Sequence, residues 1–197
     1  MNILLHICCG ICAAPVAERL MRDGHSVTGF FYNPNIHPED EYLRRLEVAR
    51  RVSREIGFEI VEGPYDRQRW FEAVKGKEYS PEGGARCLVC YEMRLRKTFE
   101  EVRKRDFFTF TTTLTVSPHK SVEAINKVGM EIGGEKFLLY DFKKKGGFQR
   151  ATELAKEWGL YRQHYCGCIY SLEESVSRKN QKEKGHCGEG CACESDA

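Results

Sequence analysis

Short apolar runs alternate with amphipathic segments along most of the chain. The runs are rich in β-branched and aromatic residues, which predicts β-strands at residues 2–6, 26–33, 58–63, 107–114 and 135–140. Apolar residues recur with helical spacing at residues 12–24, 38–56, 66–75 and 87–105. In residues 38–56 the arginines lie largely off the apolar face, so this helix is predicted to be amphipathic and basic.

This alternation predicts an α/β fold, a single domain with a mostly parallel sheet and helices on both faces. In such sheets the functional site lies beyond the carboxyl ends of the strands. The loops that follow four of the predicted strands, CCGIC, NPNIHP, TVSPHK and DFKKKGG, are therefore expected to meet at one edge. Residues 177–197 are polar and unpatterned, which predicts a domain over 1–176 followed by a disordered, cysteine-containing tail.

Composition narrows the class of protein. With 197 residues and 41% hydrophobic content, the chain suits one sizeable core, and a net charge of +2 says little about partners. The start of the chain, MNILLHICCG, has neither a basic leader nor an apolar run long enough for a membrane span, so a cytoplasmic protein without membrane contact is expected. Ten cysteines in a reducing compartment indicate metal-binding or catalytic thiols rather than a disulfide framework.

The cysteines of the predicted domain form three close pairs. These are Cys8 with Cys9, Cys87 with Cys90, and Cys166 with Cys168. Four thiolates from separated pairs suit either tetrahedral zinc or a [4Fe-4S] cluster, and spacing alone does not choose between them. Cys12 falls in an apolar helical turn, so it is interpreted as a buried, inert thiol outside the ligand set. His186, Cys187, Cys191 and Cys193 of the tail are likewise left outside.

Several motifs, taken together, carry a family resemblance. HICCGICAAP, FFYNPNIHPEDEYLRR, CLVCYEMRL, FTTTLTVSPHK, LYDFKKKGG and YRQHYCGCIYS resemble the QueH family of epoxyqueuosine reductases, over about residues 4–172. The resemblance implies an iron–sulfur enzyme that converts epoxyqueuosine to queuosine at the wobble position of tRNA anticodons. It implies a PP-loop or HUP-like fold in which CCGIC replaces a serine–glycine phosphate loop. It also implies a [4Fe-4S] cluster on Cys8, Cys9, Cys87 and Cys90.

Deoxygenating an epoxide to an alkene takes two electrons and two protons, and the remaining pair of thiols suits this demand in two ways. Cys166 and Cys168 are interpreted either as a redox dithiol or as ligands of a second, mononuclear iron together with Asp141. In the competing interpretation, Asp141 only caps a turn or pairs with Lys143 to Lys145. The sequence does not identify the electron donor. Nor does it rank the candidate proton donors, Tyr161, His164, Tyr165 and His119.

A tRNA substrate requires cations for its phosphates. The basic residues in or beside the converging loops are predicted to supply them: Arg44, Arg45, Lys120, Lys143, Lys144, Lys145 and Arg162. Two other functions stay open. One is a zinc-stabilised RNA-binding module without catalysis, and the other is an ATP-dependent, PP-loop-like tRNA-modifying enzyme, which would need the phosphate loop that this chain lacks.

Overall fold

Four parallel strands form the centre of the molecule in a computed structural model that describes residues 1–186, apart from the side chains of Lys145 and of residues 182–186. The strands are β1 (Asn2–His6), β2 (Ser26–Phe31), β3 (Glu59–Glu62) and β4 (Thr109–Thr112), in the order β3-β2-β1-β4. Every neighbouring pair is parallel, with Ile3 opposite both Val27 and Thr109. The predicted parallel sheet is confirmed.

Within the described residues, seven α-helices connect or follow the strands. They are α1 (Gly10–Arg22), α2 (Glu39–Ile56), α3 (Arg67–Val74), α4 (Ala85–Lys104), α5 (Val122–Gly133), α6 (Gly147–Glu157) and α7 (Ile169–His186). The first four match the helices predicted from spacing to within a few residues. None of the described helices combines the length and the apolar composition that crossing a bilayer requires.

The helices cover both faces of the sheet, as predicted. On β1, Ile3 and Leu5 point into one apolar cluster and Leu4 into another, because successive side chains of a strand face opposite sides. Helices α1, α2 and α6 complete the first cluster, and α4 and α5 complete the second. Since β1 is buried on both faces, the turn that follows it is anchored at the centre of the fold.

The predicted fifth strand is a correction. Within residues 135–140, Phe137 alone forms a β-bridge, a parallel one with Phe110, and the N–H of Leu138 donates to the carbonyl of Phe110. The hydroxyls of Thr109 and Thr111 donate to the carbonyls of Lys136 and Leu138. The segment runs alongside β4. Hydrogen bonds from threonine hydroxyls replace most of the backbone hydrogen bonds that would make it a strand.

Residues 177–186, which belong to the predicted tail, are helical in the structure. Helix α7 runs from Ile169 to His186 and so continues through the boundary placed after residue 176. An ion pair between Arg178 and Glu174, one helical turn apart, supports this continuation. Cys187, Cys191 and Cys193, and the side chain of His186, lie outside the described residues.

Candidate thiol and metal centre

Three thiols converge in the turn between β1 and α1. The sulfurs of Cys8, Cys9 and Cys12 all lie within 4.8 Å of one another, and those of Cys8 and Cys9 are 3.9 Å apart. Cys9 is the N-cap of α1, and Cys12 lies in the first turn of that helix. A Cβ on Gly10 would lie 2.7 Å from the backbone of Val48 in α2, so glycine allows α1 to begin against α2. The close packing of two helices therefore fixes where these sulfurs lie.

Polar groups around the turn favour the thiolate of Cys8. The N–H of Cys8 donates to the hydroxyl of Thr113 at 3.0 Å, and that hydroxyl lies 3.2 Å from the Cys8 sulfur as a donor. Hydrogen bonds from the thiols of Cys12 and Cys9 hold the pKa of Cys8 well below its usual range, although burial opposes the shift. The bond to Cys8 raises the pKa of Cys12. The group thus keeps a proton on Cys12 and presents Cys8 in the form that binds metals.

Two further thiols lie near the start of α4. The N–H of Gly83 donates to the sulfur of Cys87 at 3.3 Å. Cys90 packs in a small buried cluster with Trp70, Val74 and Cys168. Burial raises the pKa of Cys90 to about 11. Cys90 and Cys168 are therefore neighbours in an apolar setting, which favours neutral thiols in the absence of a metal.

The segment Cys166–Cys168, here called the CGC loop, is held by a buried arginine of α2. Arg45 is 2% exposed, and its Nη1 and Nη2 donate to the carbonyls of Cys166 and Tyr165 at 2.9 and 3.1 Å. Its Nε donates to Glu41 at 2.7 Å. Gly167 has φ 131°, and a Cβ there would lie 3.1 Å from Arg45 Nη1. Glycine is thus required between the two cysteines.

The loop after β2 holds the CGC loop from a second side. The N–H of His37 donates to the carbonyl of Gly167 at 2.8 Å, and the hydroxyl of Tyr165 donates to the carbonyl of His37. At the beginning of α7 the N–H of Ser171 donates to the sulfur of Cys168 at 3.4 Å. Like the other described cysteines, Cys166 and Cys168 are free thiols. The loop is ordered by its neighbours rather than by a disulfide.

A cavity of about 340 Å³ is lined by thiols of the β1–α1 region and of the CGC loop. Its wall contains Cys8, Cys12 and Cys166 together with the cations Arg94, Lys120 and Arg162. Arg94 is 2% exposed, and its Nη2 has no hydrogen-bond partner in the described structure. Convergent soft sulfur ligands beside an unpartnered buried cation suit a metal–thiolate group with a net negative charge. The residues present therefore fit an iron–sulfur cluster, and the donor set alone also admits zinc.

Comparison with known proteins assigns the family. Residues 3–174 match the family model described as epoxyqueuosine reductase QueH. The chain belongs to the QueH family. A relative from Haemophilus influenzae, named epoxyqueuosine reductase QueH, is 42% identical over 179 residues, covering 88% of this chain and 73% of the relative. A Thermotoga maritima relative of the same name is 36% identical over 193 residues, covering 94% and 98%.

Solved structures of other proteins share the fold of this QueH-family chain. The U34-tRNA thiolase NcsA from Methanococcus maripaludis, described with its [4Fe-4S] cluster, superposes with a TM-score of 0.52 at 14% identity, covering 95% of this chain and 68% of the thiolase. A predicted subunit of tRNA methyltransferase from Methanocaldococcus jannaschii gives 0.53 at 14% identity, covering 83% and 93%. At this identity the likeness concerns architecture alone. It agrees with the expected PP-loop or HUP-like α/β fold.

The ligand set implied by the QueH resemblance is distributed over two elements. Cys8 and Cys9 lie in the β1–α1 turn, and Cys87 and Cys90 lie at the start of α4. Cys8 packs against the apolar cluster that contains Cys87. Cys12 is buried, as expected, but its sulfur belongs to the three-thiol group, which the predicted ligand set left out. The sequence signal that could have placed Cys12 in this group is its spacing of about one helical turn from Cys8.

The basic residues predicted to contact RNA separate into buried and exposed groups. The side chains of Arg44 and Lys144 are 57% and 81% exposed, and Arg162 lines the cavity. Arg45 differs from the expectation, because its guanidinium is buried and bound to Glu41 and the CGC loop. Lys120 lines the cavity with Cys8 and Cys166, and Lys143 donates to its carbonyl. The side chain of Lys145 lies outside the described part.

Asp141 makes the contacts expected if it only caps a turn and pairs with nearby lysines. Its Oδ1 accepts from the N–H of Lys143 at 3.0 Å, and its Oδ2 lies 3.9 Å from Lys144 Nζ. The carboxylate therefore caps the turn that leads to α6. In the described structure it makes no contact with Cys166 or Cys168 that would support a second iron.

The candidate proton donors differ in their surroundings. His119 and His164 line the cavity. The hydroxyl of Tyr161 donates to Glu41 at 2.8 Å, and that of Tyr165 donates to the carbonyl of His37. Both tyrosine hydroxyls are therefore used within the chain, while the two imidazoles face the space where a substrate would bind.

Proposed function

We propose that this chain reduces epoxyqueuosine to queuosine at the wobble position of tRNA. Family membership supports the reaction, and the observation that carries the proposal is the cavity whose wall combines Cys8, Cys12 and Cys166 with cations that include buried Arg94. The CGC loop and the β1–α1 turn reach one cavity from opposite ends of the sequence. A thiol pair and a metal-binding set beside one substrate-sized space suit a reductive reaction.

The proposed cofactor is a [4Fe-4S] cluster on Cys8, Cys9, Cys87 and Cys90. When bound, such a cluster would supply electrons one at a time. The approach of the Cys8 and Cys9 sulfurs in the β1–α1 turn and the buried positions of Cys87 and Cys90 support a site for a soft metal. Because each pair lies on a different element, binding would tie the β1–α1 turn to α4.

We infer that Cys166 and Cys168 act as a redox dithiol. Their oxidation to a disulfide releases two electrons and two protons, and opening the epoxide to an alkene with loss of water consumes the same number. A cluster and an external reductant of unidentified nature would then return the disulfide to the dithiol. The engagement of Asp141 with Lys143 and Lys144 favours this version over a second iron.

For the RNA, exposed cations near the cavity are the proposed phosphate contacts. Arg44, Lys144 and Arg162 remain in this set, whereas Arg45 is assigned to holding the CGC loop. His119 and His164 are the proposed sources of the proton for the leaving oxygen, because they line the cavity. Proteins bind single-stranded RNA loops by combining cations that contact phosphates with groups that stack on, or hydrogen-bond to, unstacked bases.

Anaerobic purification followed by a turnover assay tests the proposal. The protein is expected to be brown, to contain iron and sulfide, and to convert epoxyqueuosine in tRNA to queuosine when a chemical reductant is added, as read by mass spectrometry of digested nucleosides. Arg96→Ala, an exposed change on α4, serves as the matched control with full turnover. A colourless zinc protein that binds tRNA without turnover would instead identify an RNA-binding module.

A further inference from the structure

Buried Arg94 and half-buried Lys120, two cations beside the thiols, lack the carboxylate partners that other buried cations have. Buried Arg45 pairs with Glu41 at 2.7 Å, and buried Arg86 pairs with Glu174 at 3.2 Å. Among the residues that the structure describes, neither Arg94 nor Lys120 forms an ion pair with a carboxylate. A buried charge without a counter-charge is strongly destabilising, so an anion bound beside these groups would stabilise them.

Helix α4 places Arg94 in the wall of the cavity, together with Cys8 and Cys166. Its Nε donates to the carbonyl of Cys90 at 3.0 Å, and its guanidinium carbon lies 5.8 Å from the centre of the Tyr91 ring. Within the described part of the chain, its Nη2 group has no partner. Since Cys90 lies one turn earlier on the same helix, Arg94 turns back toward the thiols rather than toward solvent.

Lys120 reaches the same space from the loop between β4 and α5. It lines the cavity with Arg94, Cys8 and Cys166, and the ammonium group of Lys143 donates to its carbonyl. Lys120 therefore shares this space with one cysteine of the β1–α1 turn and one cysteine of the CGC loop.

We propose that Arg94 and Lys120 are positioning residues for the iron–sulfur centre, a cation pair that offsets its negative charge and raises its reduction potential. This inference rests on the proposed function. A cluster bound by thiolates is anionic and becomes more so on reduction. A fixed cation nearby stabilises the reduced form more than the oxidised form, because the Coulomb energy grows with the charge that it faces.

The pair also divides the basic residues near the cavity by role. Lys120, expected from the sequence to contact RNA, is assigned here to the metal centre. The cations proposed for phosphates remain Arg44, Lys144 and Arg162. Removing the inner cations is therefore expected to change electron transfer, and removing the outer ones to change binding of tRNA.

The test measures the reduction potential of the full-length protein with its cluster, without RNA. Arg94→Met and Lys120→Met remove a charge while keeping a long apolar side chain, Arg94→Lys and Lys120→Arg keep it, and Arg96→Met on α4 is the exposed control. Each protein is titrated anaerobically with the cluster followed by electron paramagnetic resonance, and its iron and sulfide are quantified.

We expect the potential to fall in both methionine variants, to fall further in the double variant, and to stay near the wild-type value in the charge-preserving variants and in Arg96→Met. Loss of iron in the methionine variants together with full iron in the charge-preserving ones supports the same conclusion. An unchanged potential at full iron content would overturn the inference and leave the proposed function intact, as would equal iron loss in all inner variants. A wild-type protein without an iron–sulfur cluster would overturn both.

Discussion

The β1–α1 turn and the CGC loop both present thiols to one cavity, but the fold holds them by different means. The turn is fixed by apolar packing, because β1 is buried on both faces and Gly10 lets α1 begin against Val48. The CGC loop is fixed by polar contacts, chiefly those of buried Arg45 with Glu41 and two carbonyls. A cluster ligand needs a rigid setting, whereas a dithiol that cycles through a disulfide needs contacts that can be remade.

The largest effect is expected in the β1–α1 turn. Cys8→Ser should remove most of the iron while the fold persists, because the core is large enough not to depend on a metal. Cys12→Ala should keep most of the iron, since we assign Cys12 to hydrogen bonding with Cys8 rather than to metal binding. Iron and sulfide assays with circular dichroism decide both. Equal iron loss in the two variants would place Cys12 among the ligands.

In the CGC loop, loss of a thiol should stop turnover without removing the cluster. Cys168→Ser is expected to keep the visible absorbance of the cluster and to give no queuosine. Asp141→Ala should retain full turnover and the wild-type iron content, because its carboxylate caps a turn. A further iron per chain that is lost in both variants would restore the second-iron interpretation. Full activity of Cys168→Ser would exclude a redox role for this pair.

The anchor of the CGC loop provides a third and smaller effect. Arg45→Ala removes one partner of a buried ion pair, which should lower the free energy of unfolding by about 3–5 kcal/mol. Arg54→Ala removes a surface pair of the same helix, with an expected cost of about 0–1 kcal/mol. Urea unfolding under anaerobic conditions measures both. Similar costs in the two variants would mean that Arg45 does not hold the loop as described.

The smallest effect concerns the exposed cations. Replacing Arg44 and Lys144 together by alanine should weaken binding of an anticodon stem-loop and reduce the slope of log affinity against log salt, by about 0.7 for each phosphate that is no longer neutralised. The matched control, Arg96→Ala on the opposite face of the sheet, should leave the slope unchanged. Tight binding of the stem-loop that does not change with salt would contradict an electrostatic contact. It would not affect the comparison between the β1–α1 turn and the CGC loop.

Sequence patterns predicted the sheet and its edge because a strand buried on both faces reads as a continuous apolar run, as NILLH does. They missed α5, whose Gly129 and Gly133 lower helix propensity but let the rings of Phe137 and Phe110 pack against the helix. Arg44 and Arg45 look alike in sequence, yet Arg45 lies three residues after Tyr42, on the buried side of α2. That spacing was the available signal for its different role.

The hydrogen bonds that Arg45 and His37 make with the CGC loop end on main-chain atoms: the carbonyl of Cys166 accepts from Arg45, and the carbonyl of Gly167 accepts from the N–H of His37. These hydrogen bonds do not involve the side chain of Cys166, which lines the cavity. We therefore expect that the sulfur of Cys166 could be exchanged for selenium, or blocked by a small alkyl label, without releasing the backbone. The CGC loop is thus a suitable position for chemical probes of electron transfer at a single sulfur atom.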